Sequence, residues 1–192
     1  MVKVSISGGI GSGKSRLGSL LKNQGFKVLD ADLLAKNCLD LATIKNAVFI
    51  KFPELADLDD LIMRKKLAAI VFSDKLALRW LEDLIHPCVQ DEITKFTKNY
   101  PVEIIFIEVP VLAATKDYDF RVVVTAPMEL RIARLKQRGL DALDIFNRIS
   151  SQPTQEEFIA SADLVLDGSA EDAEFEKAGL QLIAQINQGS HE

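Results

Sequence analysis

Cysteine is scarce in this 192-residue chain: Cys38 and Cys88 are the only two, far apart. Their placement fits neither a metal-ligand spacing nor a disulfide framework, so a reducing cytoplasm is the expected setting. No apolar stretch approaches the roughly 20 residues of a membrane-spanning helix. The start, MVKVSISGG, lacks the basic region, apolar core and cleavage site of a signal peptide. Positive charge is outnumbered, with 23 Lys and Arg against 28 Asp and Glu and a net charge of -5. That balance argues against nonspecific binding to nucleic acid or an acidic membrane. Internal repeats and low-complexity segments are missing too, and the polar end QGSHE is given no role.

What remains is an ordinary globular balance, 48% hydrophobic and 27% charged, enough for one domain with a real core. Val2, Val4 and Ile6 form a short β-rich run. A glycine-rich turn follows, then SRLGSLLKNQG, in which Leu17, Leu20 and Leu21 fall at helical spacing and Gly25 makes a stop. FKVLD reads as a second strand. From Ala31 to about Tyr100 the pattern is helical: Leu76, Trp80, Leu81, Leu84 and Ile85 share a face, and His86-Pro87 is expected to break that helix. VEIIFIEV at 102–109 and FRVVVTAP at 120–127 read as strands buried on both faces. Pro127 suits the first turn of a helix running to Gly139. TQEE opens the segment 154–161 as a capping box, ADLVLDG is a fifth strand, and 170–188 is an amphipathic helix with Phe175, Leu180, Ile183 and Ile186 inward. Five strands interleaved with helices predict a doubly wound α/β domain. The stretch between strands two and three is too long for a simple crossover and reads as a helical insertion.

The first turn, GGIGSGKS from Gly8 to Ser15, matches G-x-x-x-x-G-K-[ST] between a strand and a helix. Backbone N–H groups of Gly9, Ile10, Gly11, Ser12 and Gly13 would cradle phosphate oxygens, helped by the positive end of the helix. Lys14 would bridge β- and γ-phosphates, and the Ser15 hydroxyl would help hold Mg²⁺. A guanine-reading Asn-Lys-x-Asp motif is lacking. RIARLKQR at 131–138 carries four positive charges and no negative one. It is either a solvated face or a lid that brings Arg134 and Arg138, with Arg148 just beyond, onto a transferring phosphoryl group. VLDADLLA ends strand two in Asp30 and Asp32, a strand-end carboxylate and a candidate proton acceptor.

Together these motifs resemble the dephospho-CoA kinase family. The similarity runs from about Val2 to the final helix, through GGIGSGKS, LDAD, RKKLAAIVFSD with Arg64, LRWLEDLIHPCV, EVPVL, RLKQR, RISSQ and SADLVLDG. The resemblance implies a three-layer phosphate-loop NTPase fold with a five-stranded parallel sheet of order 2-3-1-4-5. A single kinase domain would span 1–192, with a core of approximately 1–30, 100–130 and 160–192, a helical CoA-binding insertion at 31–99 and a lid at 131–158. It implies ATP-dependent phosphorylation of the ribose 3′-hydroxyl of dephospho-CoA, with Asp32 as base and Lys14, Mg²⁺, Arg134 and Arg148 stabilising charge. Gly9–Arg16 and Arg138 would bind ATP, and Ser15 and Glu108 the metal, Glu108 directly or through water. Asp32, Arg64, His86, Pro110 and Leu112 would face the acceptor. His86 is equally readable as a helix-end residue bonding a terminal carbonyl. Neither nucleic acid nor membrane is an expected partner, and a monomer or small homo-oligomer is expected.

The chain departs from the family pattern at Arg16, where threonine is usual, and at Glu108, where aspartate is more frequent. VLAAT replaces the usual Leu-Leu-Phe-Glu, Phe158 a common lysine and Asp167 a common asparagine. Two alternatives stay open: another small-molecule kinase acting on a nucleoside or nucleotide, and a non-catalytic nucleotide-binding relative.

Overall fold

A computed structural model describes residues 1–99, 103–109 and 118–189. They form two compact units, Met1–Ala31 with Asn99–Glu192, and Asp32–Lys98.

The first unit is built on five parallel strands: β1 (Val2–Ser7), β2 (Lys27–Asp30), β3 (Ile104–Glu108), β4 (Phe120–Thr125) and β5 (Leu164–Asp167), in the order β2-β3-β1-β4-β5. Parallel neighbours require crossovers, and helices supply them. These are α1 (Lys14–Asn23), α6 (Met128–Gln137), α7 (Ala142–Ser150) and α8 (Gln155–Ala160), and α9 (Asp172–Gly189) follows the last strand. Val4, Ile6, Phe106, Val122 and Val124 are fully excluded from water and pack with Leu17 and Leu21 of α1 and Phe175, Leu182, Ile183 and Ile186 of α9. Each such side chain contributes about 1.5–3 kcal/mol by leaving water. The register sets Ile6 and Asp30 on either side of Glu108, so the carboxyl ends of β1, β2 and β3 finish together.

Local signals set the boundaries. Gly25 takes φ 88°, and the Phe26 N–H returns to the Leu21 carbonyl at 3.0 Å, ending α1 in the glycine stop that the sequence predicts. Pro127 stands at the cap just before α6. Thr154 and Glu157 form the expected capping box of α8, bonding each other's backbone N–H at 3.2 and 2.7 Å. Leu180 departs from expectation: it is exposed, and Leu182 takes the inward place in α9.

The second unit contains α2 (Ala31–Leu39, whose first residue belongs to the first unit), α3 (Ala42–Lys51), a 3₁₀ turn (Pro53–Leu55), α4 (Asp60–Ser73) and α5 (Lys75–Asn99). Asp59 caps α4 by accepting from the N–H groups of Leu61 and Ile62, both at 3.1 Å. Val48, Leu55, Met63, Leu67, Val71 and Ala77 form a separate core, edged by a T-shaped Phe52–Trp80 contact.

Three expectations are corrected here. Pro87 does not break the helix: α5 continues from Lys75 to Asn99 with Pro87 inside. A proline in mid-helix costs roughly 3 kcal/mol. Burial of Ile85, Val89 and Ile93 on one side of the same helix outweighs that cost. Leu76 is exposed, so the buried face of α5 begins at Ala77. The cysteines are not free: Cys38 of α2 and Cys88 of α5 form a disulfide with a Cα–Cα distance of 6.1 Å. Their 50-residue separation resembles no framework, because helix packing alone brings them together.

Candidate active site

Between β1 and α1 the backbone makes a tight loop. Gly8 and Gly13 take φ of 137° and 116°, in a region that side chains disfavour. Gly13 caps α1 without a side-chain bond. In such an arrangement the first-turn N–H groups and the positive end of the helix are offered to a phosphate. The Ser12 N–H closes a turn onto the Gly9 carbonyl at 3.1 Å. Lys14 Nζ donates to the carbonyls of Gly8 at 2.8 Å and Gly9 at 3.4 Å, so its charge lies over the loop.

The loop is gripped from α6 and from the turn after α7. Arg134 donates through Nη1 to the Gly11 and Ser12 carbonyls (3.1 and 3.2 Å) and through Nη2 to the Gly168 carbonyl (2.8 Å), joining the loop to the β5–α9 turn. Burial, followed by the charges of Arg16 and Arg138, holds its pKa below the ordinary arginine value. Arg131 is only 5% exposed; its Nε donates to the Ile10 carbonyl at 2.9 Å. Gln152 Oε1 accepts from the Ile10 N–H at 2.8 Å, so both polar groups of that peptide are held. A Cβ on Gly9 would press into the buried Arg131 guanidinium, 2.8 Å from Nη1 and nearer still to Cζ and Nη2, so the glycine leaves room for that group.

Arg131 and Gln152 are absent from the site expected above. The available signals were the three-residue spacing of Arg131 and Arg134, which places both on one face of α6, and the glutamine that ends RISSQ.

Arg16 turns toward α9: Nη1 donates to the Ala170 carbonyl at 2.9 Å, Nη2 pairs with Asp172 at 2.6 Å, and the guanidinium lies 4.0 Å from the Phe175 ring centre. Arg138 is exposed at the C-cap of α6, and Arg148 lies in the last turn of α7. Phe158 is fully buried against β4, a place where a lysine charge would be desolvated. Asp167 accepts from the Ser169 hydroxyl and N–H at 2.6 and 2.8 Å, which lowers its carboxyl pKa.

On the other side of the loop, the Ser15 hydroxyl donates to Glu108 Oε2 at 3.3 Å. Glu108 is 9% exposed; burial first, and the charge of Asp30 second, raise its carboxyl pKa, while Lys14 and the Ser15 bond oppose the rise. Among the described residues no group of three or more His, Cys, Asp or Glu is placed to hold a metal ion. The set present, one hydroxyl and one carboxylate with a second nearby, nevertheless suits a hard cation such as Mg²⁺, which keeps several waters and takes its remaining oxygens from phosphates.

The remaining expected residues belong to the helical unit. Asp32 is the second residue of α2 and is exposed. Arg64 of α4 pairs with Asp40. His86 is exposed within α5, and because the helix does not end there it caps no terminal carbonyl. Pro110 and Leu112 lie outside the described residues.

A glycine-rich phosphate loop between the central strand of a 2-3-1-4-5 parallel sheet and its following helix defines a phosphate-loop kinase fold. Comparison narrows the class. The dephospho-CoA kinase family matches residues 2–174. A dephospho-CoA kinase of Frankia casuarinae is 36% identical over 96% of this chain and 85% of its own length. A Thermus thermophilus crystal structure superposes with a TM-score of 0.84 at 30% identity, covering 96% of this chain and 97% of that one. The dephospho-CoA kinase structure from Campylobacter jejuni gives 0.67 at 27% identity over 98% of each chain. This chain belongs to the dephospho-CoA kinase family.

Proposed function

We propose that the chain transfers the γ-phosphoryl group of ATP to the ribose 3′-hydroxyl of dephospho-CoA, giving coenzyme A and ADP. The observation that carries this reading is the phosphate loop with Ser15 bonded to a buried strand-end carboxylate, in a chain of this family.

In this mechanism Asp32 orients the acceptor hydroxyl and takes its proton as the oxygen attacks the γ-phosphorus. The bond from that phosphorus to the bridging oxygen of ADP breaks, and ADP leaves with the electron pair. Lys14 follows the β- and γ-phosphates, while the N–H groups from Gly9 to Ser15 hold the phosphate oxygens. Arg134, Arg138 and Arg148 add positive charge on the lid side. For Arg134 this means exchanging part of its hold on the loop carbonyls for phosphate oxygen. Ser15 and Glu108 would hold Mg²⁺, which when bound supplies charge neutralisation between the phosphates. Arg64 and His86 would meet the CoA part of the acceptor. Among the described residues no helix is long and apolar enough to cross a membrane. We assign the work to the cytoplasm, where the Cys38–Cys88 pair would be subject to reduction by the thiol pool.

The test is ATP turnover with dephospho-CoA against a panel of nucleoside monophosphates, in wild type and Asp32→Asn. Turnover with dephospho-CoA is expected, falling about 10²–10⁴-fold in the variant while ATP affinity stays near wild type. Turnover confined to a monophosphate would favour the nucleotide-kinase alternative. Binding of ATP without any turnover would favour the non-catalytic one.

A further inference from the structure

Gly18 is buried in the middle of α1, a position where glycine weakens a helix relative to alanine. Its surroundings explain the glycine. A Cβ built there would fall far inside van der Waals contact distance of Glu108 Oε1 and only 3.1 Å from Cδ, while Val28 Cγ1, at 3.6 Å, would be an ordinary contact. Glu108 therefore reaches from the end of β3 and lays its carboxylate against bare backbone on α1. Ser15 and Gly18 are three residues apart on one helix face. The same carboxylate receives the Ser15 hydroxyl on its other oxygen.

We propose that Gly18 is a positioning residue for the cation side of the nucleotide site: its missing side chain is what allows a glutamate, rather than a shorter carboxylate, to stand beside Ser15. The inference rests on the assignment of Ser15 and Glu108 as the cation-facing oxygens. A glutamate is one methylene longer than aspartate, and the extra length is taken up by the absence of a methyl on the opposing helix. The obstructed group is the free end of a flexible side chain, so an alanine at this position does not prevent folding. It drives the carboxylate away from Ser15, while the helix itself gains from the exchange.

The experiment compares Gly18→Ala, Glu108→Asp and the double variant by two readouts. One is the melting temperature of protein free of metal and nucleotide. The other is the Mg²⁺ concentration for half-maximal binding of a fluorescent ATP analogue. Gly18→Ala is expected to melt at, or up to about 3 °C above, the wild-type temperature. It should need about 10-fold more Mg²⁺. The double variant should need no more Mg²⁺ than Glu108→Asp alone, because the shortened side chain no longer meets the new methyl. A fall in melting temperature of more than about 5 °C in Gly18→Ala would mark the glycine as a packing site and overturn the proposal. So would an unchanged Mg²⁺ requirement, or penalties that simply add in the double variant. Analogue binding needs no acceptor, so a wild-type chain inactive on dephospho-CoA would refute the acceptor assignment and leave this result readable.

Discussion

Arg131 shows how one buried charge sets the shape of a loop. Its guanidinium is nearly excluded from water, no carboxylate among the described residues pairs with it, and burial alone holds its pKa below the ordinary arginine value. Against that desolvation stands the bond to the Ile10 carbonyl, of a kind worth about 1.5–3 kcal/mol when the donor is charged. The two effects oppose each other in stability but not in function, because only the bond fixes the Ile10 peptide. Arg131→Met keeps much of the volume and removes the buried charge, so stability should change by less than about 1.5 kcal/mol. The KM for ATP should rise about 10-fold, since the loop loses one of its two holds on Ile10. Thermal melting and ATP kinetics on the same preparation decide the matter; an unchanged KM would show that Gln152 alone suffices. Lys14 and Ser15 were legible in the sequence because their roles follow from a local pattern. Arg131 and Gln152 were not, because each acts on a residue more than a hundred positions away.

At the scale of elements, local chemistry predicted boundaries well and packing poorly. The glycine stop after α1 and the capping box of α8 use neighbours in sequence, and both appear as expected. Pro87 and the cysteine pair were misjudged because tertiary packing decides them. The joint between β4 and β5 also depends on partners distant in sequence. Asp163 Oδ2 accepts from the Arg121 N–H at 2.8 Å and from its Nε at 3.0 Å, and Oδ1 accepts from Nη2 at 2.9 Å. The Arg121 side-chain bond, ahead of all other causes, holds the Asp163 carboxyl below its usual range. A carboxyl whose folded pKa lies below its unfolded value stabilises fully above the unfolded pKa, about 3.9, and loses that contribution as pH falls through the folded one. The pair is about 35–43% exposed by side chain, so solvent screening limits it to about 1 kcal/mol or less. Asp163→Asn retains an acceptor for the Arg121 N–H but puts an amide donor opposite Arg121 Nη2, so the charge and that one bond are removed together. The variant should melt about 1–4 °C below wild type at pH 7, with the gap closing below about pH 4. Melting curves from pH 7 to pH 3 test this, and a gap at pH 3 as wide as that at pH 7 would assign the loss to packing.

For the whole molecule, the five strands and the helical stretch between the second and third were legible because the strand–loop–helix opening and the long apolar runs are strong signals, whereas the order of the strands came from the resemblance to the family. The site residues divide between the two units. The phosphate loop, Glu108 and the α6 arginines share the sheet unit, whereas Asp32, Arg64 and His86 belong to a helical unit with its own core. Nucleotide binding should therefore register in stability through the loop, whether or not the acceptor is present. A ligand that binds only the native chain adds about 2.7 kcal/mol at 100 times its Kd. For a chain of this length that corresponds to a rise of about 5–11 °C in melting temperature. Wild-type protein with saturating ATP and Mg²⁺ should show this rise without dephospho-CoA. Lys14→Ala should lose most of it while melting near wild type on its own, because the Lys14 amine bonds carbonyls of the loop it belongs to and lies outside both cores. A full ATP-dependent rise in Lys14→Ala would place nucleotide binding elsewhere than at the loop between β1 and α1.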